Sequence, residues 1–169
     1  MTSYLIDDFA RRALAPPNLD QNCIFCLVVS GKAPCYKLYE DEHLMAILDI
    51  QPIRRGHALV IPKNHVKRLS DLSPELAARL GAAVSRIANA LCNALDITGL
   101  NVVCNQEYAQ AVPHVHYHIV PAPTFSSSEI DPTGKAMLPD AIFFRELQSR
   151  GHLDDLEGPD LTERIKCRL

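Results

Sequence analysis

The sequence predicts a single domain of the α+β class. Three observations carry that prediction: short apolar runs of strand length, one long segment with apolar residues at three- and four-residue steps, and hairpin-length links between some neighbouring runs. Several strands come first, then the helix, then two more strands, an order that makes the sheet mainly antiparallel.

The elements follow in order. Residues 1–20 include Ala15, Pro16, Pro17, Asn18 and Leu19, a connector without sustained period, and are read as an arm, with the domain starting near Gln21. Tyr36 to Glu40 and Leu44 to Ile50, separated by Asp41, Glu42 and His43, read as a β-hairpin. His57 to Ile61 is the third strand, stopped by Pro62, which cannot continue a central ladder. Ser73 before Pro74 is a helix start, a capping side chain followed by proline at the first helical position. The helix runs to about Leu95, and Leu76, Leu80, Ala83, Val84, Ile87, Leu91 and Leu95 form one buried stripe. Leu100 to Cys104 and Val115 to Val120 are the last two strands, the latter closed by Pro121 and Pro123. Residues 124–169 open on a turn-rich linker, hold one short helix candidate at Ala141 to Leu147, and end in a charged stretch read as an extension rather than a second domain.

Composition narrows the function. A chain of 169 residues, 47% of them hydrophobic, can bury one core. A net charge of -3 with a pI near 6.1 gives no basic field, so nucleic acid is not an expected partner. No apolar run reaches the length of a membrane span, and Asp7, Asp8, Arg11 and Arg12 break up the first residues, so neither a membrane partner nor a secretory signal is expected. Six cysteines in such a chain read as reduced thiols, which implies cytosol or nucleus and leaves metal binding open to any close pair. Cys92 and Cys104 read as core.

The segment His114, Val115, His116, Tyr117, His118 carries the chemistry. On an extended strand the three histidines share one face, while Val115, Tyr117 and Ile119 share the other. Solvent faces are ordinarily built from Thr, Lys, Glu or Ser, so three imidazoles in five residues point to catalysis or metal binding. Cys23 and Cys26 have zinc-ligand spacing, but two thiolates do not complete a tetrahedral site. A thioredoxin-like redox motif would need a strand before the pair, and Gln21 and Asn22 do not supply one, whereas two unliganded thiols remain an alternative. Between Gln51 and Ser70 stand Arg54, Arg55, Lys63, Lys67 and Arg68 without an acid, either a local positive potential or solvated loop charges.

The run His114 to Val120 resembles the signature of the histidine-triad family. Leu48, Asp49, Ile50, Gln51 and Pro52, then Gly56 to His65, and the Cys23 to Cys26 segment extend the likeness over residues 21 to 123 in matching order. The resemblance implies a five-stranded antiparallel sheet with one long helix. It makes His116 the nucleophile on the α-phosphate of a purine nucleotide, forming a nucleotidyl-histidine that water hydrolyses, with His57 and His118 bonding the phosphate oxygens. Asp49 would bind the ribose hydroxyls or cap the following turn. Phe25 and Ile50 would sandwich the base, or serve as plain core. Asn105 and Gln106 match loop positions that reach the phosphate, and Gln110 also matches. The likeness further implies a structural zinc held by Cys23, Cys26, His65 and His114, no magnesium requirement, and a homodimer.

Ala111 departs from the family, which commonly has Ser or Thr there to help the leaving group. His118, in place of the Gln of the nucleotidyltransferase branch, favours hydrolysis. The Cys pair and the Asp-Ile-Gln-Pro stretch look most like the nucleoside phosphoramidase branch, which acts on bonds between AMP and amines. Two alternatives stay open: a dinucleoside polyphosphate hydrolase of the fragile-triad type, and a nucleotide-binding regulatory module with vestigial activity.

Overall fold

A computed structural model describes residues 17–122 and 157–169. The short helix α1 (Ile24–Val29) leads into strands β1 (Tyr36–Glu40), β2 (Leu44–Leu48) and β3 (Ala58–Pro62). A 3-10 turn at Leu69–Asp71 precedes the long helix α2 (Pro74–Leu95), then come β4 (Leu100–Cys104), β5 (Tyr117–Pro121) and a last helix, α3 (Glu157–Lys166). The strands form one sheet in the order β1-β2-β3-β5-β4, with every pairing antiparallel. The α+β class, the antiparallel five-stranded sheet and the long helix are as expected.

α2 begins at the residue the sequence indicates. The Ser73 hydroxyl accepts from Leu76 N at 3.2 Å and Pro74 occupies the first turn. It buries Leu80, Ala83, Ile87, Ala90, Leu91 and Ala94 against one face of the sheet, where Ala46, Leu48, Val60, Val115 and Ile119 meet it. α2 ends on Asp96 in the left-handed region at φ 55, a position where glycine is usual. The other face of the sheet carries a smaller cluster, in which Met45, Ile47, Leu59 and Ile61 pack against Cys23, Phe25, Cys26 and Val28 of the α1 region. Strands β2 and β3 are therefore buried on both faces, which explains their unbroken apolar runs.

Several boundaries differ from the expectation. β3 runs Ala58–Pro62 rather than His57 to Ile61, with Pro62 as its last residue, opposite Leu44, and β5 likewise ends on Pro121. β2 stops at Leu48, leaving Asp49 and Ile50 in the loop that leads to His57. β5 starts at Tyr117, so His114 and His116 precede the ladder, although the face alternation holds: Val115 and Ile119 lie in the α2-side core. Within the arm, Asn18 bonds to the loop after β3: Asn18 N donates to Asn64 Oδ1 at 3.0 Å and His65 N donates to Asn18 O at 2.7 Å. Cys92 and Cys104 are half-buried rather than fully enclosed, and Cys104 packs against the α2-side core.

The charged end of the chain is the helix α3. Leu161 and Ile165 are fully buried against α2 and β1, Arg164 donates to Ala94 O at 2.8 Å, and Arg55 pairs with Glu157. The helix candidate Ala141 to Leu147 lies outside the described residues. Among those residues no helix is long and apolar enough to cross a membrane.

Candidate active site

The site grows from two segments that β3 and β5 bring side by side. Cys23 caps α1 and Cys26 lies within its first turn, so the three-residue step turns both thiols to one side. Cys23 Sγ stands 3.4 Å from His114 Nδ1, and Cys26 Sγ stands 3.3 Å from His65 Nδ1 and 3.6 Å from His114 Nδ1. A tetrahedral ion bound at ~2.3 Å to sulfur and ~2.05 Å to nitrogen would hold its S and N ligands ~3.6 Å apart. The four side chains thus already stand at coordination spacing. Two further observations support that fit. His65 Nε2 is buried without a hydrogen-bond partner, its closest carboxylate being Asp20 Oδ2 at 3.8 Å. His114 Nε2 donates to Pro62 O at 2.9 Å, which leaves a lone pair on Nδ1 facing the thiols. Burial is the main force pushing the His114 pKa down to about 4. Two sulfurs and two imidazoles suit zinc, and with four protein ligands such an ion would have no open position for chemistry.

His116 follows two residues on. Only 3% of it is exposed, and its Nδ1 donates to His114 O at 2.6 Å, so the free lone pair sits on Nε2. Burial lowers its pKa and favours the neutral ring, against the opposing pull of that carbonyl. The Phe25 ring packs edge-on against it with centroids 5.1 Å apart, and His118 lies on another side at 4.7 Å.

His57 and His118 are joined to each other. His57 Nε2 and His118 Nδ1 are 2.9 Å apart, a hydrogen bond between the residue just before β3 and one on the adjoining strand β5. His57 is 1% exposed, and its Nδ1 lies 3.2 Å from Asp49 Oδ2 and accepts from Ile53 N at 3.2 Å. Asp49 Oδ1 accepts from Gln51 N at 2.8 Å, a turn-forming bond. The carboxylate therefore both caps the turn and faces the buried imidazole.

The remaining candidates line two loops. Phe25 is buried beside His116, whereas Ile50 is 52% exposed. Asn105 is half-buried at the end of β4, and Gln106 Oε1 accepts from Ser70 N at 3.0 Å. Gln110 knits its own loop: Nε2 donates to Lys67 O at 2.9 Å and to His114 O at 3.4 Å, while Oε1 accepts from Glu107 N at 2.8 Å. Ala111 is exposed, and Tyr108, 88% exposed, stands at the loop tip. Of the five basic residues, Arg55 pairs with Glu157, Lys63 with Glu40 and Arg68 with Glu107, so much of the expected local field is neutralised by acids distant in sequence.

Sequence reasoning missed the backbone groups that hold these rings, Pro62 O and Ile53 N, because a backbone atom leaves no trace in residue identity. It also missed Asp20, an acid three residues before Cys23, for which spacing alone gives no signal.

Comparison with known proteins identifies the family. A family model described as HIT domain matches residues 30–124, more than half of the chain. The protein belongs to the histidine-triad (HIT) family. It is 43% identical over 103 residues to Protein hit of Bacillus subtilis, covering 60% of this chain and 71% of that one. It is 41% identical over 104 residues to the adenosine 5'-monophosphoramidase hnt1 of Schizosaccharomyces pombe, covering 60% and 75% respectively. Among solved structures, a zinc-bound histidine triad family protein from Mycobacterium smegmatis superposes with a TM-score of 0.66 at 33% identity, covering 87% of this chain and 92% of that one.

Proposed function

We propose that the protein hydrolyses purine nucleoside 5'-phosphoramidates, releasing a nucleoside monophosphate and an amine through a covalent intermediate on His116. The observation that carries this reading is the 2.6 Å bond from His116 Nδ1 to His114 O, which leaves the lone pair on the opposite nitrogen, Nε2, for nucleophilic attack. His116 Nε2 attacks the α-phosphorus, the N–P bond forms, and the P–N bond to the leaving amine breaks. Water then attacks the same phosphorus, frees the nucleotide and restores the imidazole. His57 and His118 stabilise the charge that spreads over the phosphate oxygens.

Family relatives named adenosine 5'-monophosphoramidase support the leaving-group class. Phe25 and Ile50 would take the base, Asp49 would lie towards the ribose, and Asn105, Gln106 and Gln110 would frame the phosphate loop. Zinc on Cys23, Cys26, His65 and His114 would stiffen the segment that carries the nucleophile, with no magnesium required. Such a thiolate site suits a reducing compartment, cytosol or nucleus.

A homodimer belongs to the same proposal. β4 is an edge strand with Val102 and Val103 exposed, a surface that pairing with a second copy would cover.

The deciding experiment is a substrate panel of adenosine 5'-phosphoramidate, AMP-lysine and diadenosine triphosphate, run on wild type and His116→Ala. Release of AMP from the first two by wild type, abolished in the variant while AMP still binds, is the expected result. Equal turnover by both proteins would remove His116 as nucleophile. Much faster turnover of diadenosine triphosphate would move the protein to the dinucleoside polyphosphate hydrolases, and AMP binding without any turnover would make it a nucleotide-binding module.

A further inference from the structure

Asp49 lies against a ring that is almost wholly buried. His57 Nδ1 has two partners of opposite kind at equal distance, the N–H of Ile53 at 3.2 Å and the carboxylate Oδ2 of Asp49 at 3.2 Å. A neutral ring can accept from Ile53, and a protonated ring can turn its Nδ1–H to Asp49. Each protonation state of a 1% exposed histidine therefore has a partner, which a buried group needs if its charge is to change. In both states Nε2 keeps its proton and donates to His118 Nδ1 at 2.9 Å, so His118 carries its own proton on Nε2. Asp49, His57 and His118 are also spaced as a cluster that could hold a metal ion. However, His57 meets Asp49 through Nδ1 and His118 through the opposite nitrogen, which makes a chain rather than a cage.

We propose that Asp49 is a positioning residue whose carboxylate balances the charge of His57 and so lets the His57–His118 pair carry the proton that the leaving group takes. The proposal rests on the phosphoramidase reading and deepens it. As His116 Nε2 bonds to phosphorus and the P–N bond breaks, the leaving nitrogen takes the proton from His118 Nε2. His57 passes its Nε2 proton to His118 Nδ1 and keeps its Nδ1–H towards Asp49. His118 Nε2 is then a bare lone pair, ready to take a proton from the attacking water in the second step, and the chain runs back to its start.

Asp49→Asn tests this while keeping an oxygen for Gln51 N and thus the turn. The readout is the single-turnover rate of nucleotidyl transfer to His116 from two substrates, an AMP alkylamide and the 4-nitrophenyl ester of AMP, whose phenolate leaves without a proton. General acid assistance is worth ~10²–10⁴ in rate, so the ratio of amide to ester rates, both taken at saturating substrate, should fall at least about 100-fold in the variant. In the wild-type complex with AMP, nitrogen NMR should find His57 protonated on both ring nitrogens, and in the variant only on Nε2. Equal slowing of both substrates, which leaves that ratio unchanged, would confine Asp49 to holding the nucleotide and overturn the proposal. A neutral His57 in the wild-type AMP complex would overturn it as well. Failure of wild type to cleave either substrate would instead strike the phosphoramidase reading itself, and is seen without any variant.

Discussion

His114 Nε2 lies 2.9 Å from the carbonyl oxygen of Pro62, the last residue of β3. That single bond decides which nitrogen of His114 faces Cys23 and Cys26, and it ties the strand end to the segment carrying His116. The metal reading follows from it. Purified protein should contain about one zinc per chain by elemental analysis, and the Cys23→Ser, Cys26→Ser double variant should contain none. Metal-free wild type from zinc-replete cells would refute the site.

Asp20 should act on the ion through His65. Once the His65 ring is ligated through Nδ1, its buried Nε2–H needs an acceptor, and Asp20 Oδ2 at 3.8 Å is within a small side-chain rotation. Asp20→Asn should weaken zinc binding ~10–100-fold in a chelator competition, the usual cost of losing such a partner. Unchanged affinity would show that the carboxylate has no part in it.

Acid should weaken the metal-stripped protein. The His114 pKa is lowered from 6.5 to about 4, so the unfolded chain takes up a proton that the folded one refuses. Stability from this group is complete above pH 6.5, falls between 6.5 and 4, and is level below. The loss over that window is about 3 kcal/mol. Thermal melts of chelator-treated protein across the window measure it, and a melting temperature that does not change there would contradict the assignment.

Gly56 should resist substitution. Its φ is +86, and a Cβ built there would lie 2.5 Å from Leu95 Cδ1 at the end of α2. Gly56→Ala combines left-handed strain with that overlap and should cost about 2 kcal/mol in denaturant unfolding. Because His57 is the next residue, the same variant should also slow phosphoramidate turnover. Wild-type stability would mean that α2 yields freely at Leu95.

Much of this architecture was legible because the deciding signals are local. Ser73 and Pro74 mark the start of α2 through cap chemistry confined to one turn, and the apolar stripe from Leu76 to Leu95 sets its buried face. The three histidines were legible because neighbours two apart on extended chain share a face whatever the rest of the fold does. α1 was missed because six residues, Ile24–Val29, are too few to display a helical period. α3 was missed because Gly158, Pro159 and its charges resemble a tail, although Leu161, Ile165 and Leu169 do repeat at four-residue steps. The pairing of His57 with His118 could not be read, since it depends on β3 lying beside β5, and strand order is a property of the assembled sheet.

The last helix also bears on how the molecule is made. Glu157 meets Arg55 across a separation of 102 residues, and Leu161 and Ile165 fill the floor between β1 and α2. During synthesis the ribosome has delivered the whole sheet and the nucleophile before it delivers this plug. Until then a nascent chain exposes the apolar seam that Leu161 will seal. Leu161→Ala, which should cost about 2–5 kcal/mol, would leave a finished protein permanently resembling that unfinished one.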